Sequence, residues 1–380
     1  MRGGEDGSSE LSVTVARGAY PVHVTPGGLD GLGARAAQLM APRRCVVVTN
    51  PVVGALYLDQ AMDSLRSAGF EPVCAMVPDG EAHKHLGTWT ALVNELVALR
   101  VDRRTPVFAL GGGVTGDIAG FAAATVLRGL PFVQVPTTLL AMVDSAVGGK
   151  TGVNLPVGKN LVGAFHAPRL VYSALQTLQT LPVRELTAGL GEVVKHAIIG
   201  DAALWTALED SRGLDARLLS TCVLRSCALK ADVVMEDERE RGRRIILNFG
   251  HTVGHGIEAV VNGRIRHGHC VALGMLAETR FAAARGWSPA DLPARLEALL
   301  IHLGLGVDLP GDVELHAVRA AARHDKKRDR ATLRTCAVTR VGAARVLVLS
   351  PGEVDEMVGH LNAPAPPGKL IGAVATVEER

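Results

Sequence analysis

The chain has 380 residues, of which 48% are hydrophobic and 3% aromatic, and its formal net charge is +2. This length favours two domains, with buried cores made chiefly of Ala, Val and Leu. The small net charge excludes strong electrostatic attraction to nucleic acid or membranes, and no apolar run reaches the roughly 18 residues of a membrane-spanning helix. The N-terminus is unlike a secretory signal and the six cysteines form no CxxC pair, so we expect a cytoplasmic protein with reduced thiols.

Strands and helices alternate in the first half of the chain. Residues 1–10 are expected to be disordered, and the alternating segments 12–15 and 20–24 predict a β-hairpin. Beyond them, the predicted strands are 45–49, 72–77, 106–110 and 132–135, and the predicted helices are 29–39, 53–68, 85–99 and 118–128. This alternation predicts an α/β domain with a parallel sheet over residues 1–180.

Helical periodicity dominates after about residue 180 and predicts a second, mainly helical domain over residues 181–362. A late β-hairpin, 333–339 with 344–349, interrupts this pattern. The Pro-rich stretch that begins at residue 363 predicts a tail, 363–380, that does not pack. The predicted helices are 184–199, 202–209, 215–234, 250–261, 268–285, 289–303, 313–323 and 351–360.

A glycine-rich turn follows the strand 106–110. Residues 111–116, Gly-Gly-Gly-Val-Thr-Gly, fit the spacing G-x-G-x-x-G between a strand and a helix. This arrangement is typical of a pyrophosphate site at a helix N-terminus, and its alternative is a merely tight turn. The next strand ends in Pro136-Thr137-Thr138 instead of the acidic residue that usually holds a ribose, so we expect a variant mode of dinucleotide binding. Other candidates near strand ends are Asn50, Asp79, Glu81 and Lys84.

Basic residues occur in apolar or ordered contexts through the rest of the chain. A second glycine- and lysine-rich loop system, residues 144–160, places Lys150 after two glycines, which suits a phosphate grip. A solvated loop is the alternative, because lysines are mostly exposed. Singly, the other cations are typical of surface charges or salt bridges, but together they indicate a small, highly anionic substrate. They are Arg128, Lys195, Lys230, Arg244, Lys326 and Lys327.

His251 and His255 are four residues apart, so a helix places both imidazoles on one face. Such a pair can bind a metal, hold an anion, or divide these roles. Our choice of ligands for a catalytic Zn²⁺ is Glu192, His251 and His267, because three N and O ligands leave one position open. Three alternatives remain: Glu192 pairs with a lysine one turn away, His267 is only a helix-start residue, and His269 competes with His267 as the ligand.

Six segments of the chain resemble the sugar-phosphate cyclases, and within them the 3-dehydroquinate synthase family. The resemblance implies an N-terminal Rossmann-like NAD⁺-binding domain, a mainly helical metal-binding domain, and a homodimer. The chain departs from the family pattern at His267-Gly268-His269, where the family usually has His-Gly-Glu. The similar segments follow the family's order between about residues 45 and 350, and they are 111–125, 136–151, 158–160, 191–195, 247–255 and 325–327.

The resemblance also implies the role of each candidate residue. Glu192, His251 and His267 match the ligands of Zn²⁺ (or Co²⁺), and Arg128 matches an arginine that acts on the phosphate across the dimer. Lys230 and Arg244 match the grip on a substrate carboxylate. The other implied substrate contacts are Lys150, Asn160, Asn248, His255, Lys326 or Lys327, Asp144 and Lys195. The implied NAD⁺ contacts are Asn50, Asp79, Glu81, Lys84, Gly112, Gly113, Val114, Asp117, Thr137, Thr138, Lys150 and Lys159.

The implied reaction converts 3-deoxy-D-arabino-heptulosonate 7-phosphate to 3-dehydroquinate and phosphate, in the shikimate pathway to aromatic amino acids. It joins a transient NAD⁺-dependent oxidation, β-elimination of phosphate, reduction, and an intramolecular aldol closure. Alternatives are aminodehydroquinate synthase or another cyclitol synthase of secondary metabolism. A more distant alternative is a metal-dependent polyol or alcohol dehydrogenase, although a neutral polyol does not need Lys150, Lys230 and Arg244 together. No nucleic acid or membrane partner is expected.

Overall fold

The computed structural model of the chain describes residues 2–3, 7–15, 18–237, 242–324 and 332–362. The predicted substrate contacts Lys326 and Lys327 and the expected tail 363–380 lie outside the described residues. The chain divides into two units, Met1–Pro182 and Val183–Arg380. Our sequence boundary lay after residue 180; the division follows Pro182 because the first helix of the second unit begins at Val183.

The first unit is an α/β structure, which confirms the expected fold class. Its helices are α1 (Leu32–Ala37), α2 (Pro51–Ser67), α3 (Leu86–Ala98) and α4 (Gly113–Thr125). Its strands are β1 (Arg2–Gly3), β2 (Ser9–Val15), β3 (Gly18–Thr25), β4 (Arg44–Thr49), β5 (Glu71–Met76), β6 (Val107–Gly111), β7 (Phe132–Pro136), β8 (Lys150–Leu155), β9 (Gly158–Phe165) and β10 (Leu170–Ala174).

Eight of these strands form one sheet in the order β1-β2-β3-β10-β7-β6-β4-β5. Every neighbouring pair from β3 to β5 is parallel, whereas β2 pairs antiparallel with β1 and β3. Alternate residues of β4 enter different cores: Val46 and Val48 pack with α3 and α4, and Cys45 and Val47 pack with α1 and α2. Burial on both faces explains why the strand is wholly apolar instead of alternating.

The strand order reverses at β4, because the chain continues to β5 on one side while β6 lies on the other. The loops that follow β4 and β6 therefore diverge at the carboxyl ends of two neighbouring parallel strands. Open α/β sheets bind their ligands at such a point. Asn50 follows β4 and Gly112 follows β6, so two predicted nucleotide contacts lie there.

Several details of the first unit differ from the sequence prediction. The disorder expected for residues 1–10 is wrong at Arg2–Gly3, which pairs with Glu10 and Ser9, the first residues of the strand Ser9–Val15. The loop system expected over 144–160 is wrong: a π-helical turn, Ala141–Ser145, leads into the antiparallel hairpin β8–β9. Helix α4 begins at Gly113 instead of Ile118, and strand β10 was not predicted.

The second unit is mainly helical, as predicted. Its core packs four helices, His251–Val261, His267–Ala284, Leu315–His324 and Pro351–Gly359, and a short antiparallel pair of strands, Leu333–Arg340 with Ala343–Leu349, precedes the last of them. No helix among the described residues is long and apolar enough to cross a membrane. Its elements are α5 (Val183–Gly200), α6 (Ala202–Glu209), α7 (Ala216–Glu236), α8 (His251–Val261), α9 (His267–Ala284), α10 (Leu292–His302), α11 (Leu315–His324), β11 (Leu333–Arg340), β12 (Ala343–Leu349) and α12 (Pro351–Gly359).

Candidate active site

The glycine-rich turn of the first unit ends directly in helix α4. Gly112 is the N-cap residue, with φ −75° and ψ −173°, and no side chain caps the helix. The first N–H groups of a helix have no intrahelical acceptor, and the helix dipole adds positive potential there. The turn therefore offers Gly113 and Val114 N–H groups to an anion, which suits the pyrophosphate of a dinucleotide.

Polar side chains at the ends of β4 and β5 lie beside this turn. Asn50 is buried and caps α2 by accepting a hydrogen bond from Val53 N at 2.9 Å. Its Nδ2 donates to Asp79 Oδ1 at 3.0 Å and lies 3.5 Å from Thr115 Oγ1. The structure thus brings two predicted nucleotide contacts, Asn50 and Asp79, to the glycine-rich turn.

Lys84 is the centre of a second polar group in this unit. Its side chain is buried, and Nζ donates to Asp117 Oδ2 and to Asn160 Oδ1, each at 2.6 Å. Burial raises the pKa of the Asp117 carboxyl, and the Lys84 ammonium only partly opposes this shift. Lys84 and Asp117, two predicted nucleotide contacts, therefore lie together with Asn160, a predicted substrate contact.

Asn154 belongs to the same group, although its sequence context predicted no role for it. Its Nδ2 donates to Glu81 Oε1 at 2.7 Å, and its Oδ1 accepts from Asn160 N at 2.9 Å. Its own backbone N donates to Lys84 O at 2.8 Å. Asn154 therefore joins Glu81 and Lys84 to the β8–β9 hairpin, where Asn160 adopts a left-handed backbone with φ +55°.

The remaining candidates of the first unit occupy turns and strand ends. Thr137 is buried, and Thr138 Oγ1 accepts from Ala141 N at 3.2 Å at the start of the π-helical turn that contains Asp144. Arg128 is exposed and has φ +66°, next to Leu127 with φ +50°. Exposed side chains at Lys150, where β8 begins, and at Lys159 in β9 complete this set.

Close helix crossings position the candidate metal ligands of the second unit. A Cβ at Gly268 would lie 1.7 Å from Ala188 O, so α5 and α9 are in backbone contact beside Glu192 and His267. A Cβ at Gly274 would lie 1.9 Å from Gly250 O, so α8 and α9 are similarly close beside His251. Only glycine fits such contacts, and they bring three distant ligands within reach of one another.

Glu192, His251 and His267 converge on one point. Glu192 Oε1 lies 3.4 Å from His251 Nε2 and 3.5 Å from His267 Nε2, and these three residues form a group that can hold a metal ion. The other ring nitrogens face acceptors, with His251 Nδ1 3.1 Å from Phe249 O and His267 Nδ1 3.3 Å from Glu258 Oε2. Histidines that bind metals present one nitrogen to the ion and the other to an acceptor, so the residues fit Zn²⁺ or Co²⁺.

The carboxylate of this group is held in the charged form that a cation needs. Burial opposes ionisation of Glu192, but Lys195, which contacts its carboxylate, and the two imidazoles hold its pKa well below its usual range. Burial is the main cause that lowers the pKa of His251. Burial also acts against the charged form of His267, but hydrogen bonds to Glu192 and Glu258 outweigh it and raise the pKa to about 10.

Other candidates of the second unit lie on the same elements. The ring centroid of His255 is 5.0 Å from that of His251 and 5.9 Å from that of His267. Asn248 ends the short 3-10 turn Arg243–Asn248, one turn before α8. Within the described part of the chain, no group that can hold a metal includes His269, the competing histidine.

Lys230 and Arg244 are both buried, at 5% and 2% exposure. Lys230 lies on α7 and Arg244 in the 3-10 turn that follows, where its backbone N donates to Asp237 Oδ2 at 3.0 Å. Basic side chains are rarely buried unless an anion or a polar partner accompanies them. These two cations therefore differ from the solvated surface charges that the sequence left as an alternative.

Known proteins resemble both units. The family model described as 3-dehydroquinate synthase N-terminal matches residues 74–188, and the one described as 3-dehydroquinate synthase C-terminal matches residues 189–328. A 3-dehydroquinate synthase of Nostoc punctiforme is 43% identical over 358 residues, which are 92% of this chain and 99% of that protein.

Two solved structures share the fold over nearly the whole chain. A 2-deoxy-scyllo-inosose synthase, complexed with carbaglucose-6-phosphate, NAD⁺ and Co²⁺, has a TM-score of 0.83 at 26% identity and covers 92% of this chain and 99% of that one. The 2-epi-5-epi-valiolone synthase from Streptomyces hygroscopicus subsp. jinggangensis, with NAD⁺ and Zn²⁺ bound, has a TM-score of 0.81 at 28% identity. It covers 92% of this chain and 98% of that one.

Proposed function

The chain belongs to the 3-dehydroquinate synthase family, and we propose on this premise that it converts 3-deoxy-D-arabino-heptulosonate 7-phosphate to 3-dehydroquinate and phosphate. The observation that carries the proposal is the convergence of Glu192, His251 and His267 in the second unit. The glycine-rich start of α4 in the first unit supports the need for NAD⁺. This lyase activity places the protein in the shikimate pathway.

Each unit supplies a different part of the chemistry. When bound, NAD⁺ accepts and returns a hydride, and Zn²⁺ (or Co²⁺) polarises substrate oxygens. Glu192, His251 and His267 hold the metal in this proposal. The residues that hold NAD⁺ are Asn50, Asp79, Glu81, Lys84, Gly112, Gly113, Val114, Asp117, Thr137, Thr138, Lys150 and Lys159.

The substrate is anionic at two positions, and the proposal gives each a set of cations. Lys230 and Arg244 pair with the carboxylate, since both are buried and charge-assisted bonds are strongest where water is excluded. Asp144 and Lys195 position hydroxyl groups. The groups assigned to the phosphate and the rest of the substrate are Arg128, Lys150, Asn160, Asn248, His255, Lys326 and Lys327.

The reaction depends on holding one flexible substrate through several steps. A ketone formed at a secondary alcohol acidifies the neighbouring C–H bond, and phosphate then leaves by β-elimination. The hydride returns to the same carbon, so there is no net oxidation, and aldol closure forms the carbocycle. Orientation of the reacting groups supplies much of the rate in such sequences, which is consistent with the many polar contacts assigned here.

We also propose a homodimer in which Arg128 acts on the phosphate bound by the partner. Leu127 and Arg128 both have positive φ, and each such non-glycine residue costs on the order of 1–3 kcal/mol. Strained backbone of this kind is typical of functional positions. The exposed guanidinium of Arg128 and the neighbouring exposed Leu127 suit a contact with a second copy of the chain. We also propose a cytoplasmic location.

A phosphate-release assay tests the function. With the heptulosonate phosphate, Zn²⁺ and NAD⁺, we expect equimolar phosphate and 3-dehydroquinate, loss of both on chelation, and recovery with Zn²⁺ or Co²⁺. His251→Ala should abolish the activity, whereas His316→Ala, an exposed histidine on α11, should not change it. No phosphate from the loaded protein contradicts the proposal.

The same assay separates the alternatives. Aminodehydroquinate synthase would release phosphate faster from the aminated substrate than from the heptulosonate phosphate. A polyol dehydrogenase would instead accumulate NADH with a polyol, because its oxidation is not followed by reduction of the same substrate. The buried Lys230 and Arg244 favour a carboxylated substrate over either a neutral polyol or a sugar phosphate that lacks a carboxylate.

A further inference from the structure

Glu258 lies on α8, and its carboxylate faces the candidate ligand His267. Glu258 Oε2 is 3.3 Å from His267 Nδ1, and the side chain is 12% exposed. The opposite ring nitrogen of His267, Nε2, is 3.5 Å from Glu192 Oε1. The imidazole of His267 therefore has a carboxylate on each side, one from α5 and one from α8.

The two histidines of the metal group are oriented by different kinds of acceptor. His251 faces the backbone carbonyl of Phe249, two residues away, so its acceptor comes from its own segment of chain. His267 is the first residue of α9 and is more exposed, 29% against 12% for His251. Its ring orientation therefore depends more on a side chain supplied by another helix.

We propose that Glu258 is a positioning residue for the metal site, which accepts the Nδ1–H of His267 and directs its Nε2 toward the ion. This inference rests on the proposed metal site. The neutral imidazole that a metal binds carries one proton, and an acceptor at Nδ1 keeps that proton there, so the Nε2 lone pair is available to the ion. The negative charge of Glu258 also makes His267 a more basic ligand.

A second role for Glu258, as a metal ligand itself, is disfavoured by the geometry. His255, Glu258 and His267 also lie close enough to hold a metal. An ion there would take His267 through Nδ1, which would remove Nε2 from the site of Glu192 or require a fully deprotonated ring shared by two ions. The group of Glu192, His251 and His267 combines a wholly buried carboxylate with two converging nitrogens, so we assign the ion to it.

Metal affinity and the visible spectrum of Co²⁺ test the role of Glu258. Chelator competition with Zn²⁺ should show 10–100-fold weaker binding for Glu258→Ala, about the effect of losing such a partner. Glu258→Gln should fall between Ala and wild type, because its amide oxygen still accepts from Nδ1–H but carries no charge. The Co²⁺ spectrum should shift in the Ala variant, which reports a changed ligand geometry independently of catalysis.

Glu185→Gln is the matched control. Glu185 pairs at 2.9 Å with Arg266, the residue before His267, so its loss removes a nearby carboxylate without removing the acceptor of the imidazole. We expect wild-type Zn²⁺ affinity and an unchanged Co²⁺ spectrum for this variant. The near-isosteric Glu258→Gln keeps the test valid if Glu258→Ala does not fold.

Two results would overturn the inference. One is Zn²⁺ affinity within about threefold of wild type in both Glu258 variants, with the same Co²⁺ spectrum. The other is loss of metal in Glu258→Gln as complete as in Glu192→Gln, which would make Glu258 a ligand. If wild-type protein itself binds neither metal, the proposed function fails, which is a different outcome from a Glu258 effect that is absent.

Discussion

Asn154 connects two residues that we assign to NAD⁺ with the hairpin beside them. Its side chain makes hydrogen bonds to Glu81 and to the backbone of Asn160, and its backbone N reaches Lys84 O. Asn154 itself carries no assigned contact with the nucleotide. Its effect on binding is therefore one of arrangement, because it fixes the segment on which Glu81 and Lys84 lie.

Asn154→Ala should weaken NAD⁺ binding by up to about thirtyfold, since its side chain makes two hydrogen bonds of roughly 1 kcal/mol each and 1.4 kcal/mol is tenfold in affinity. Calorimetric titration measures this change. The KM for NAD⁺ should rise while kcat at saturating NAD⁺ stays near wild type. Asn94→Ala, at an exposed position on α3, is the control and should bind normally. A lower kcat with unchanged NAD⁺ affinity would contradict this role.

The sequence identified the chemical types of the site better than their partners. Histidines and a glutamate are recognisable as potential ligands, and the structure places the three chosen residues together. Asn154 and Glu258 were missed because their roles depend on partners in other elements. Glu81 is 73 residues before Asn154, and nothing in the local pattern of either residue encodes that hydrogen bond.

The close crossing of α5 and α9 depends on Gly268, where a Cβ would meet Ala188 O at 1.7 Å. Gly268→Ala should therefore destabilise the helical unit by about 3 kcal/mol or more and also weaken Zn²⁺ binding, because a backbone carbonyl cannot rotate away. Chemical unfolding followed by tryptophan fluorescence measures the first effect, since Trp205 and Trp287 both lie in this unit.

Gly352→Ala is the control for that substitution. Gly352 lies in the first turn of α12 and has open space where a Cβ would be added. Alanine there should leave stability unchanged or raise it by about 0.4–1 kcal/mol, through the lower entropy of the unfolded chain. Equal stability of the two alanine variants would show that the α5–α9 crossing tolerates a side chain.

Elements with a strong hydrophobic periodicity were predictable from the sequence, whereas elements rich in glycine were not. The predicted helices of the second unit match the observed ones to within a few residues. The β8–β9 hairpin was missed because its glycines lower strand propensity, yet they are needed there: a Cβ at Gly163 would lie 2.0 Å from Thr151 O. The early start of α4 was missed for a similar reason, because the glycine-rich sequence around Gly113 predicted a turn.

On the scale of the whole molecule, two ligands are assigned to two separate units. A ligand that binds only the folded state stabilises it by about 2.7 kcal/mol at 100 times its Kd. Zn²⁺ should therefore slow backbone hydrogen exchange most in α5, α8 and α9, and NAD⁺ should slow it most around the start of α4. Peptide-resolved exchange with and without each ligand measures both effects.

Glu192→Gln distinguishes the protection by Zn²⁺ from the protection by NAD⁺. This variant should lose the protection by Zn²⁺ in the second unit and keep the protection by NAD⁺ in the first. Zn²⁺ protection centred on the first unit would contradict the metal assignment. The two-unit organisation was predictable from the change in periodicity, and the parallel sheet from the alternation of strands and helices, whereas hydrogen bonds between distant loops were not.

Each of the three proposed metal ligands has a glycine as its neighbour in the chain: Gly191 precedes Glu192, Gly250 precedes His251, and Gly268 follows His267. At each place, one residue supplies the proposed ligand atom and its neighbouring glycine allows the close packing of the helices. An engineer who wishes to change the metal preference can vary the ligands, while the glycines keep the helices in place. A mutational library for this site should hold those glycines fixed, because a larger residue there alters the frame that any new ligand set needs.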